Sequence, residues 1–376
     1  MDTIIPDELP DNLEPSQYYS LGLRYRLGGR IGLAGEALRK VVELAPGSAI
    51  AFKSDLILRT QLPRAPVPEA AENRNIEAYN LMGSDPEAAK QKFQKLMAEF
   101  PDFEWPFSNL AYMYLSEGKV KEAKELVTYL LAVNPEHLRS NSIAIKIAIE
   151  EKDFTRALEL ADRTKKLCQG SDEGLRQEAL MIKIRLKGPP PDTLAEGLTA
   201  DEYFELAETY AILAKLELCR RALELTLSLE PNKELTSKAT RMLKCNLPRQ
   251  PISAELDRRL NEMRNLAREK SDELKTCLEQ LATDFPDAEI VLQTLAHYYF
   301  TQQDMTKSER FAKLALRCHP DFSPPKELLV LLYMLQQKYD SALEIVAKEA
   351  KLADATDMTY DLLRAECELA RYQSGL

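Results

Sequence analysis

The sequence predicts an all-α fold built as an α-solenoid of paired helices, and three observations carry that prediction. Apolar residues recur at helical spacing along nearly the whole 376-residue chain, in segments of about 12 to 16 residues. Asn-Pro, Phe-Pro-Asp and Glu-Gly-Lys punctuation separates the segments, and no convincing period-two strand pattern lies between them. The composition is globular, with 45% hydrophobic and 29% charged residues, and only 13 glycines interrupt a helix-favouring mixture of Leu, Ala, Glu and Lys.

The clearest segment runs from Phe107 to Pro135. Phe107, Leu110, Ala111 and Tyr114 share one helix face, Gly118 opens a turn, and Ala123, Val127 and Leu130 follow on a second helix that Pro135 ends. Small residues at 111 and 123 let the two helices approach closely, and the large ones fill the space between neighbouring pairs. The same pattern returns at Tyr18–Pro46, Tyr203–Pro231 and Leu292–Pro320, more weakly at Ala144–Ala157 and Leu329–Val346, and in the second helix alone at Ala89–Pro101 and Leu274–Pro286. These residues and spacings resemble the tetratricopeptide repeat (TPR), with its beat of about 34 residues. The resemblance covers nearly the whole chain and implies a right-handed superhelix with a concave face.

A longer repeat overlies the short one. Shifted by 185 residues, the chain lies on itself: Tyr18 meets Tyr203, Tyr25 meets Tyr210, Pro46 meets Pro231, Phe100-Pro101-Asp102 meets Phe285-Pro286-Asp287, and Pro135 meets Pro320. Leu62-Pro63-Arg64-Ala65-Pro66 meets Leu247-Pro248-Arg249-Gln250-Pro251, which lies outside the repeat pattern. A shift of 185 is not a multiple of 34, so an internal duplication accounts for the match. The expected organisation is an acidic N-terminal tail (1–13), an N-terminal half (14–187), a Pro-rich linker (188–198) and a C-terminal half with a closing helix (199–376). Each half places two first-type helices in succession around its LPRxP loop. Either the loop travels back one helix length, about 21 Å for 14 residues, or the helices pack antiparallel and the stack changes phase.

The formal charge of −10 argues against nucleic acid, which favours a basic face. No apolar run approaches the length of a membrane span, and the acidic, proline-broken start does not read as a signal peptide. Six cysteines without a CxxC pair fit reduced thiols and a cytoplasmic setting. Three histidines (His137, His297 and His319) leave little for acid–base chemistry, and no P-loop, GxGxxG, GxSxG or HExxH motif is present. Gly28-Gly29-Arg30-Ile31-Gly32 falls where the first pair needs its turn. No catalytic group, metal or cofactor is expected.

The resemblance directs attention to first-helix positions 2, 5, 6, 9, 12 and 13. They hold Trp105, Ser108, Asn109 and Tyr112, then Arg139, Ser142 and Lys146, and in the second half His297 and Phe300. This mixture suits a peptide or partner segment in a groove. The chaperone-tail clamp known in the family maps to Arg74, Ala78, Asn109, Arg139 and Ile143, which is half-formed. The expected function is an adaptor for a protein partner. A self-assembling scaffold, with room for a homo-oligomer, and an enzyme or regulatory protein with a ligand pocket between the halves are the alternatives.

Overall fold

The computed structural model describes residues 5–168, 173–268, 273–351 and 359–375. Among these are twenty α-helices and no strand. The first ten are α1 (Pro15–Leu27), α2 (Ile31–Leu44), α3 (Ala49–Thr60), α4 (Glu69–Leu81), α5 (Pro86–Glu99), α6 (Glu104–Ser116), α7 (Val120–Val133), α8 (Leu138–Glu150), α9 (Phe154–Leu167) and α10 (Glu173–Lys187). The others are α11 (Ala200–Ile212), α12 (Leu216–Ser228), α13 (Lys233–Arg241), α14 (Ala254–Arg268), α15 (Leu274–Asp284), α16 (Glu289–Thr301), α17 (Met305–Cys318), α18 (Ser323–Leu335), α19 (Tyr339–Ala350) and α20 (Thr359–Gln373).

Local chemistry sets the helix starts. Ser48, Asp85, Asp153 and Asn232 each accept an amide hydrogen of the first turn, and Thr199 with Glu202 forms a reciprocal capping box. The small residues do what the spacing predicts. Ala34, Ala111, Ala123, Ala207 and Ala296 are fully buried between paired helices. Tyr25, Tyr210, Leu38 and Leu223 fill the interior beside them.

The chain divides into two compact units: Met1–Pro189 together with Ala350–Leu376, and Pro190–Glu349. The duplication is written in side-chain contacts inside each. Tyr25 donates its hydroxyl to the Pro6 carbonyl (3.0 Å), and Tyr210 donates to that of Pro191 (2.8 Å). Arg30 pairs with Asp7 (2.7 Å), Lys215 with Asp192 (2.5 Å). Arg59 pairs with Glu136 (3.1 Å), Lys244 with Asp321 (3.0 Å). Arg74 pairs with Glu99 and lies over Phe100, as Arg259 pairs with Asp284 and lies over Phe285. In every case both partners shift by the same 185 residues.

Two of the sequence expectations change. The segments read as an acidic tail and a linker are equivalent straps, each laid over the first helix pair of its unit. Ile5 is buried and Leu9 and Leu13 are half-buried in the first core, while Leu194 packs in the second. The closing helix of the second half also lies elsewhere: α20 packs on α1, in the first unit. Its counterpart α10 packs on α9.

Each LPRxP loop stays at one end of the stack. A short turn joins α2 to α3, so α3 stops at the end where the α1–α2 turn lies. There α4 begins: Glu72 in its first turn accepts the amide hydrogens of Ile31 (3.1 Å) and Gly32 (2.7 Å) at the start of α2. The loop therefore does not travel back a helix length, and the stack changes phase instead. In the second unit the Ile252 amide donates to Glu217 in the first turn of α12 (2.9 Å), which gives the same arrangement. There α13 ends in a π turn, Met242–Asn246. Buried Glu104 and Glu289 hold the loops by accepting the amide hydrogens of Arg64 and Arg249.

Candidate functional site

In the first unit α4, α6 and α8 pack successively and present one face. Residues expected to line it separate into two groups. Ser108 and Asn109 are buried, Ser108 bonded to the Trp105 carbonyl and Asn109 to Asn75, so neither is presented to a partner. Trp105 is half-buried, and its indole N–H donates to the Gln61 carbonyl (3.1 Å). It latches the crossover. Both side groups thus serve the repeat-to-repeat packing that the sequence alone did not distinguish from a groove.

Tyr112, Arg139 and Lys146 form the second group. Tyr112 is 42% exposed, and Arg139 and Lys146 are exposed as well. Arg139 and Lys146 are seven residues apart on α8, two turns along one face. They approach the Tyr112 ring from the neighbouring helix, with Arg139 Cζ 5.8 Å and Lys146 Nζ 5.9 Å from its centroid. Cations over a phenol ring gain about 0.5–1 kcal/mol each at such sites. Protein packed around the Arg139 guanidinium pulls its pKa below the ordinary arginine value, opposed by Tyr79 and Tyr112. Among the described residues neither cation forms an ion pair, while Lys53, Arg59, Arg74, Lys90, Lys92 and Lys124 of the same unit all do. Ser142, between the two cations in sequence, is half-buried.

Tyr79, 54% exposed on α4, belongs beside this cluster and was not among the expected residues. Its signal was legible, as an aromatic one position past the small residue Ala78, but the repeat pattern around α4 is too weak to number. The chaperone-tail clamp is not assembled. Arg74 is engaged with Glu99, Asn109 with Asn75, and Ile143 is buried.

The second unit carries different chemistry at matching positions. His297 is exposed on α16 with Phe300 beside it, their ring centroids 6.4 Å apart. On α18 Leu331 and Leu335 are 48% and 62% exposed. Leu331 stands where the first half has Lys146. The duplicated faces have therefore diverged, one cationic and aromatic, the other aliphatic.

No family model matches the chain, and no curated protein matches it. Solved structures align with it at low identity. The TPR domain of P58(IPK) is 16% identical over 96% of this chain and 99% of that one, with a TM-score of 0.29. The pilF protein of Pseudomonas aeruginosa is 15% identical over 60% and 96%, with a TM-score of 0.30. A tetratricopeptide repeat protein from Parabacteroides merdae is 12% identical over 79% and 99%, with a TM-score of 0.26. At TM-scores of this size nothing about shape or role is taken from them. The repeat's own packing, with small residues between paired helices and aromatics between pairs, makes this chain a divergent tetratricopeptide-type repeat protein written twice.

Proposed function

We propose that the chain is a non-catalytic scaffold that captures an acidic segment of a protein partner on the α4–α6–α8 face. The carrying observation is the pair of unneutralised cations, Arg139 and Lys146, held against exposed Tyr112 in a protein whose net charge is −10. A carboxylate docked there gains charge-assisted hydrogen bonds from both side chains, and the ring offers an apolar contact between them. Nucleic acid carries the matching sign, but the net charge of the whole chain repels a polyanion.

The test is affinity capture with identification of bound proteins by mass spectrometry, using the native chain, Tyr112→Ala and the double variant Arg139→Gln/Lys146→Gln. A partner held by the native chain and lost from both variants, at unchanged helicity, supports the reading. A partner list that neither variant alters removes this face as the site.

A further inference from the structure

The C-terminal helix lies on the first-helix face of α1, and the chemistry of that contact defines a second receptor surface. Tyr19, Ser20 and Arg26 of α1 stand at the same repeat positions as Ser108, Asn109 and Leu115 of α6, on the face where this repeat type holds segments of other chains. There α20 is seated by charge and by a narrow apolar stripe. Lys53 pairs with Asp361 (2.6 Å), and Arg24 with Glu368 (3.4 Å), the side chains of Lys53, Arg24 and Glu368 being 10% exposed or less. The Tyr19 hydroxyl reaches Asp361 and the Ser20 hydroxyl donates to Glu368 (3.2 Å). Burial, with Asp361 adding to it, raises the pKa of Tyr19. Tyr360, Ala365 and Cys367 are buried beneath the helix.

Two features mark α20 as an occupant and not simply a further turn of the solenoid. By the duplication its counterpart is α10, which continues its own stack on α9, whereas α20 leaves the second unit to reach α1. Its seat is also polar: two carboxylates seven residues apart on one helix face meet two cations on different helices, α1 and α3. Complementary charge of this kind specifies a partner and its register more than it adds affinity.

We infer that the α1–α3 face is a binding surface for an acidic amphipathic helix, that α20 fills it in the resting chain, and that a partner helix of the same chemistry competes with α20 for it. This does not depend on the α4–α6–α8 cluster, which involves other helices and other variants. A tethered occupant acts at an effective concentration on the order of millimolar. A free helix therefore binds measurably once the resident is weakened.

The probe is a fluorescently labelled synthetic peptide of residues 359–373, titrated into the full chain. The chain carrying Asp361→Asn and Glu368→Gln is expected to bind it at least about tenfold more tightly than the native chain, because only the resident helix has lost its ion pairs. Adding Lys53→Glu to that chain should abolish binding, and a peptide carrying Asp361→Lys should restore it. Hydrogen exchange of the native chain should show residues 359–373 opening faster than α1 and α2. Three results overturn the inference: no peptide binding to the weakened chain at native helicity, exchange of 359–373 as slow as that of α1, or collapse of the first unit on weakening α20, which would make that helix part of the core.

Discussion

Single residues record where the two copies solved one problem differently. The turns between paired helices need a left-handed residue, and the first unit supplies Gly29 and Gly118 there, at φ 79° and 74°. The second unit places Ala214 and Gln303 at the matching positions, at φ 56° and 60°. An L-residue in that region costs about 1–2 kcal/mol. Ala214→Gly and Gln303→Gly should each stabilise the second unit by about 0.5–1.5 kcal/mol, read from its urea midpoint. A loss of stability would show that the side chain contributes more than the backbone strain.

His137 makes a second residue-scale prediction. It is buried, its Nδ1 lies 2.6 Å from the Ser140 hydroxyl, and burial with the nearby Arg139 charge lowers its pKa to about 4. The unfolded chain takes up this proton near the ordinary histidine value of about 6.5. Stability is therefore full above pH 6.5 and falls as the pH drops toward 4, by about 1.5 kcal/mol between pH 6.5 and 5. His137→Phe, which installs the residue found at the matching position 322, should flatten that slope for the first unit. An unchanged slope would move its cause to another group.

At the scale of elements, the crossover is the part least legible in the sequence. The LPRxP repetition marked its place, but its path depended on Glu72 and Glu104, which read as ordinary helix-start carboxylates. Nothing in their spacing shows that one reaches back to α2 and the other across to the Arg64 amide. Glu104→Ala leaves that buried amide unbonded and should cost the first unit about 1–3 kcal/mol. Glu289→Ala should do the same in the second unit. Thermal melts of both variants check it, and a shift below 1 °C in either would show that the loop is held by Leu62 or Leu247 alone. The straps were misread for a related reason. Pro6 and Asp7 match Pro191 and Asp192, but proline-broken acidic residues carry no periodicity, so the match surfaces only when Tyr25 and Tyr210 are seen to bind them.

For the whole molecule, the small, aromatic and proline positions settled the class of fold because each is fixed by helix-to-helix distance, a quantity that local spacing encodes. The candidate face was only partly legible. Tyr112, Arg139 and Lys146 come together as expected, while Ser108, Asn109 and Trp105 were taken up by packing between repeats, which one repeat's spacing does not reveal. The placement of α20 was not legible at all, since it depends on a contact more than 300 residues away in the chain, such as Ser20 with Glu368. Two units with separate cores should unfold in two calorimetric transitions. Truncation before Thr359 should lower only the transition of the unit that contains α1. A single transition, or an equal drop in both, would contradict the division.

The most direct test of the functional account is the affinity of the captured segment, synthesised as a peptide, for the native chain and for Arg139→Gln/Lys146→Gln at low and physiological salt. The account predicts a loss of about tenfold or more at low salt, shrinking as salt screens the charges that remain. Equal affinity of the two chains at both salts would contradict it.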